Sequence, residues 1–285
     1  MAADADVHQV VRWDSYNVIT RRALLQTLAC TVAAGGGVTA ADLRDETRRA
    51  YDEYAARATQ RFVERVRNGT VAKPEARASR DRDVLVSPAG EDGILSIPDG
   101  LVHHWTGSTV IRDVSLQDAL DVSYDYDNYR AIYKPVIASR LLGRDGNTFR
   151  VRLRIKESSG GLSATLDVTS RIEYSYPDDR DVYSIATSDE IREIRDAGTA
   201  SERSLPSGHD SGYLWRATTF NYLASRDGGV FVESEALGLS RRFPPFLTWF
   251  IEPIARRLGR ASVERSLRDF SQAVAARARQ RDKKD

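Results

Sequence analysis

The chain has 285 residues, with 42 Lys and Arg against 41 Asp and Glu, four His, one Cys and 41% hydrophobic residues. A formal charge of +1 leaves no electrostatic case for nucleic acid as a partner. The single cysteine excludes a disulfide framework, a CxxC redox pair and a Cys-based zinc cluster, and four histidines argue against a His-rich metal cage. A mean hydropathy of −0.45, with no run of about 18 uncharged apolar residues, excludes a multi-pass membrane protein.

The first forty residues read as an export signal. Arg21-Arg22 precedes a mild apolar stretch, Ala23 to Val38, interrupted by Gln26, Thr27 and Gly35 to Gly37. That stretch is too short and too polar to span a bilayer. Small residues at Val38-Thr39-Ala40 suit cleavage after Ala40. The paired arginines followed by x-Leu-Leu resemble a twin-arginine signal, although Gln26 and the acidic leader (Asp4, Asp6, Asp14) depart from that pattern. The expectation is an exported, periplasmic protein, or a cytoplasmic one if the signal is not used. Cys30 lies in the segment expected to be removed.

Residues 41–99 read as a helix and a linker. Ala41 to Arg67 has apolar residues at helical spacing (Leu43, Tyr51, Tyr54, Ala58, Phe62, Val66), with Asp42 as N-cap and Asn68-Gly69 as the stop. Lys73 to Pro98 is broken by Pro74, Pro88, Gly90 and Gly93 and reads as a linker with a short strand near Val84–Val86.

From residue 100 to 280 the pattern is α+β. Leu101 to Asp113 is a strand. Ser115 caps a short helix at Leu116–Val122, with Asp118 completing a capping box, and a second short helix follows at Asp127–Tyr133. Extended runs then alternate with turns: Val136–Leu142, Thr148–Lys156, Ser163–Tyr176, Val182–Ile194, Tyr213–Arg226 and Val230–Leu239. Pro244-Pro245 opens a long helix that Pro253 is expected to kink or split near Glu252. Beyond it, Leu258, Val263, Leu267, Phe270 and Val274 form a stripe that belongs against the sheet. Residues 281–285 read as a charged, solvated tail.

This order of strand, two short helices, meander and long terminal helix resembles the helix-grip fold of the START-like superfamily, shared by polyketide cyclases and lipid-transfer domains. His104-Trp105-Thr106-Gly107, Val114-Ser115-Leu116, Tyr133-Lys134-Pro135-Val136 and Val230 to Glu235 running on to Phe270 carry the resemblance, over roughly Gly100 to Ala278. It implies a curved antiparallel sheet around the terminal helix and a cavity between them. A hydrophobic small molecule (a lipid, isoprenoid or polyketide-like molecule) would sit there. Cavity candidates are His104, Tyr133, Leu153, Tyr174, Trp215, Glu235 and Trp249.

The residues themselves bear on chemistry as follows. His103 and His104 are adjacent on a strand and point to opposite faces, so they cannot readily share a metal; one is expected inside and one in solvent. Glu233 and Glu235 share a face and could titrate as a pair, but the pattern favours a solvated outer face. Ser207 to Ser211 gathers Ser, His and Asp in a single loop, which rarely makes a triad. Arg241 to Phe246 with Trp249 either begins a core-packed helix or forms an entrance in transient contact with a membrane. No P-loop, G-x-G-x-x-G or G-x-S-x-G motif occurs. The expectation is therefore carriage of a hydrophobic molecule, with no catalytic residue, metal or cofactor assigned. A cyclase- or aromatase-like enzyme using His104, Glu235 or Tyr174 is the second reading. A protein-interaction module docking through the 41–67 helix is the third.

Overall fold

A computed structural model describes residues 41–71, 84–159, 162–226, 228–242 and 245–283, with side chains at all of these except 159, 162 and 245–255. The expected export signal, residues 1–40, lies outside the described residues. In chain order the elements are β1 (Ala41–Asp42), α1 (Asp45–Arg67), β2 (Leu85–Pro88), β3 (Ile94–Ile97), β4 (Gly100–Arg112), α2 (Leu116–Tyr124), a 3-10 turn (Tyr126–Asn128) and α3 (Tyr129–Ile132). There follow β5 (Val136–Asp145), β6 (Thr148–Ser159), β7 (Leu162–Ser175), β8 (Asp181–Arg195), β9 (Arg203–Ser204), β10 (His209–Asp210), β11 (Arg216–Arg226), β12 (Gly229–Arg241) and α4 (Pro245–Arg281).

The strands from β5 to β12 pair antiparallel in sequence order, apart from the short β9 and β10, and β12 then pairs with β4. Short turns force this arrangement: Gly146, at φ +54, reverses the chain between β5 and β6, and Gly228, at φ +78, does so between β11 and β12. The free side of β4 is edged by β2 and β3, so part of the expected linker belongs to the sheet. Four-residue strands separated by a glycine-rich bend are too short to show a period in the sequence.

Alternation along β4 and β12 decides the layers. Trp105, Ile111, Val230 and Val232 face one core with Val263, Leu267, Phe270 and Val274 of α4. Val102, Phe231, Leu237 and Leu239 face a second core with Tyr51, Ala58, Phe62 and Val66 of α1. The sheet is thus gripped on its concave side by α4, as the helix-grip pattern implies, and covered on its outer side by α1. The stripe of α1 is spent on the sheet, with Phe62 stacked on Phe220 at 5.1 Å, and is not available as a docking face.

Three local expectations are corrected. The helix starts at Asp45, because Asp42 pairs with His209 in the small β1–β10 ladder and its carboxylate meets His209 Nδ1 at 2.7 Å. Pro253 does not divide α4, since one lost N–H bends a helix without ending it when the following turns are packed. Arg281, expected in a solvated tail, instead reaches back to Asp118 and to Ser115 Oγ, tying the end of α4 to the capping box of α2.

The tightest helix-to-sheet approach is at Trp105. A Cβ on Gly259 of α4 would lie 2.5 Å from its indole nitrogen, and one on Gly93 would lie 2.6 Å from its ring on another side. Two residues further along β4, a Cβ on Gly107 would meet Val263 at 2.6 Å and Leu267 at 2.7 Å. Alanine in place of a helical glycine ordinarily stabilises by about 1 kcal/mol. Here Gly259→Ala is expected to destabilise by about 1–3 kcal/mol through overpacking. Gly143→Ala, where nothing lies within 4 Å, should stay within roughly 0.5 kcal/mol in the same urea titration.

Candidate functional site

Beyond the close approach at β4, a cavity of about 90 Å³ lies between α4 and strands β7, β8, β11 and β12. Leu267 and Phe270 of α4 form one wall, and Val182, Leu223 and Val232 form the apolar part of the floor. Tyr129 and Tyr133, from the segment between α2 and β5, close one side.

A line of polar side chains crosses this floor. Tyr174, Ser184, Asn221 and Ser234 are neighbours in register on four adjacent strands, Tyr174 opposite Ser184, Ser184 opposite Asn221, Asn221 opposite Ser234. Ser234 Oγ donates to Asn221 Oδ1 at 2.8 Å, and Asn221 Nδ2 donates to Ser184 Oγ at a long 3.4 Å. The Tyr174 and Tyr126 hydroxyls are 2.8 Å apart, and Tyr129 donates to the Ser123 carbonyl at 2.7 Å. Phe149 anchors these rings, edge-on to Tyr174 and stacked on Tyr124.

Burial pushes the Tyr174 hydroxyl up to about 12 and holds those of Tyr126, Tyr129 and Tyr133 well above the ordinary phenol value. All four therefore remain neutral hydrogen-bonding groups near pH 7 and do not act as bases. No Asp, Glu, His, Lys or Arg is among the described residues lining the cavity. Nor do three or more His, Cys, Asp or Glu group as a metal site among the described residues.

The structure separates the sequence candidates. Tyr133 and Tyr174 border the cavity. Leu153 shares its face of the sheet and packs against the concave core without lining the cavity. Trp215, His104 and Glu235 lie elsewhere: Trp215 packs in the outer core and donates to Asp210 Oδ1 at 2.9 Å, and the other two lie beneath α1. The side chain of Trp249, like those of the expected entrance around Phe243 to Ile251, is outside the described residues. Asn221, Ser184 and Ser234 were not singled out from the sequence, and Phe270 was read only as part of the stripe packed on the sheet. No signal in the sequence marked the first three: Asn221 sits in a strand that also carries Thr218, Thr219 and Ser225.

His103 and His104 do point to opposite faces, but neither is simply solvated. His103 bonds Ser240 Oγ at 2.8 Å on the concave side. His104 is buried on the outer side, its Nδ1 2.7 Å from the Tyr54 hydroxyl and its Nε2 2.8 Å from Glu235. Arg65 of α1 then spans both carboxylates, reaching Glu233 at 2.8 Å and Glu235 at 2.5 Å. The expected solvated face is therefore a buried ion network, with Glu233 only 1% exposed. The sequence shows the shared face of the two glutamates but not the helix lying over it. This network contains the acid–base pair that the enzymatic reading needed, and it faces α1, across the sheet from the cavity. The Ser207–Ser211 loop is likewise structural: Ser211 bonds Glu193, and Asp210 accepts from Gly212 N–H and Trp215.

No protein-family model matches this chain, and no curated protein matches it. Solved structures with a similar arrangement include the STAR-related lipid transfer protein from Xanthomonas axonopodis, 16% identical over 68% of this chain and 99% of that one, with a TM-score of 0.44. Human STARD10 is 13% identical over 74% of this chain and 79% of that one, with a TM-score of 0.44. The Zhui aromatase/cyclase from Streptomyces sp. R1128 is 16% identical over 63% and 95%, with a TM-score of 0.38. At these values, what the chain binds has to be argued from its own cavity.

Two measurements test the electrostatics described above. Arg65→Met strands two buried carboxylates and is expected to cost about 3–5 kcal/mol of stability. Adding Glu233→Gln and Glu235→Gln to it should recover most of that loss in denaturant titrations. Burial lowers His103 to about 4, below its ordinary value near 6.5. Its contribution to stability is therefore complete above about pH 6.5 and lost as pH falls from there towards 4. Denaturation midpoints measured between pH 7.5 and 5 should fall less steeply in His103→Gln than in the parent.

Proposed function

We propose that the protein binds or carries a hydrophobic small molecule, of lipid, isoprenoid or polyketide-like character, in the cavity between the sheet and α4. The supporting observation is the lining: apolar walls crossed by a line of neutral hydroxyl and amide groups, with no ionisable acid–base pair. Such a lining binds by apolar burial, about 25 cal/mol per Å² before the costs of association, and orients its guest by a few hydrogen bonds. Among the described residues it holds no paired titratable groups of the kind that general acid–base catalysis requires.

Size adds a condition. At about 90 Å³ the cavity is smaller than the roughly 300–1,000 Å³ of pockets that enclose drug-sized ligands. A lipid-sized guest must therefore displace Phe270 and Leu267 or move the Tyr129–Pro135 segment outward. The close-packed contact at Trp105 and Gly259 makes the opposite side of the helix, towards β7 and β8, the side that yields. Export and membrane contact remain separate expectations, and replacing Arg21 and Arg22 by Lys followed by cell fractionation tests the first.

Native mass spectrometry of the purified protein, followed by organic extraction, is expected to recover a lipid-like adduct. Leu223→Trp, which fills the cavity floor, should remove the adduct at a stability cost of about 1–3 kcal/mol. Repeated recovery of adduct-free protein that no lipid panel stabilises would count against carriage.

A further inference from the structure

Resting on that reading of the cavity, we infer that its guest is uncharged and is held through an acceptor oxygen of the carbonyl kind. The oxygen would be met by the Tyr133 hydroxyl, the Asn221 amide and the Ser266 hydroxyl. The three residues line the same cavity from three different elements: the segment before β5, the sheet and α4.

Hydrogen-bond accounting identifies them. Most polar groups around the cavity are already committed: Ser123 donates to the Ala119 carbonyl, Tyr129 to the Ser123 carbonyl, and Ser234 to Asn221, while Tyr126 and Tyr174 bond each other. Among the described residues the Tyr133 and Ser266 hydroxyls have no protein partner. Asn221 touches one serine on each side, so in either orientation of its amide one of its two N–H groups is left over. Unlike the two hydroxyls, that N–H can only donate. Neither hydroxyl is a fully buried atom without a partner, so both open onto accessible space rather than being stranded in the core. Water can serve them in the empty cavity, and a guest that displaces the water must replace its bonds.

The remaining lining sets the charge. With no Lys, Arg or His among the described lining residues, a buried carboxylate or phosphate would have no counter-charge. With no Asp or Glu there, an ammonium would have none either. A hydroxyl guest could accept the Asn221 N–H but would claim one of the two hydroxyls as its own acceptor, leaving only the other to donate to it. A ketone, ester or amide oxygen, with two lone pairs and no hydrogen, matches the surplus best.

Matched small probes separate this inference from the reading beneath it. Cyclohexanone and methylcyclohexane have nearly the same shape, and cyclohexanecarboxylate adds a charge. In protein-observed NMR titrations of the folded full chain, cyclohexanone is expected to bind about three- to tenfold more tightly than methylcyclohexane, with the shifts confined to the cavity. Cyclohexanecarboxylate should bind more weakly than either. Tyr133→Phe and Ser266→Ala, which each delete only a hydroxyl, should narrow the cyclohexanone preference and leave methylcyclohexane within twofold. Equal binding of cyclohexanone and methylcyclohexane in the cavity would overturn the acceptor inference and leave the hydrophobic cavity standing. A preference for the carboxylate would overturn the claim of an uncharged guest. Failure of all three probes to bind at the cavity would overturn the inference together with the reading it rests on.

Discussion

The concave side of the molecule is governed by how closely α4 approaches β4. Two glycines and one tryptophan set that distance: Gly259 lies on the Trp105 indole, and Gly107 leaves room for Val263 and Leu267. Close-packed interiors transmit such constraints, because a side chain without free volume around it cannot yield by small amounts. With the helix held against one strand of a curved sheet, the space between helix and sheet opens towards β7, β8 and β11. That is where the cavity lies.

The outer side obeys a different constraint. A sheet curved around one helix still exposes its other face, and strands β4 and β12 carry apolar residues on both faces. Helix α1 covers that second face with Tyr51, Ala58, Phe62 and Val66. Covering it also buries Glu233 and Glu235, whose carboxylates then need the Arg65 guanidinium and the His104 imidazole. A buried network of this kind is weak evidence for added stability but strong evidence for a specified position, since losing one member strands the others. Residues that read as catalytic candidates in the sequence are therefore explained by the seating of α1.

Much of the architecture was legible before any coordinates. Period-2 alternation in Val151–Ile155 and 231–237, the Ser115–Asp118 capping box and the glycine turns all lie within a few residues of each other along the chain, and local patterns decide them. The same locality explains why α1 could be read as amphipathic while its partner could not. An apolar stripe states that something must cover it, and only the folded chain shows that the cover is Phe220 and Phe231. The candidate site was half legible for a related reason. Tyr133 and Tyr174 were among the cavity candidates that the resemblance implies. Asn221, Ser184 and Ser234 went unnoticed because each is unremarkable in its own strand and acquires meaning only from its neighbours in register.

The balance of 42 basic and 41 acidic residues and the single cysteine thus framed the broad expectations, and periodicity settled the α+β class and the order of elements. Tertiary structure alone decided which face of β12 lies under which helix. That choice placed His104 and Glu235 in an ion network and Tyr174, Asn221 and Ser234 at a cavity. The physical reason is that strand alternation assigns side chains to two faces without naming them. Naming them takes the packing of two helices, more than 150 residues apart, against opposite sides of the same sheet.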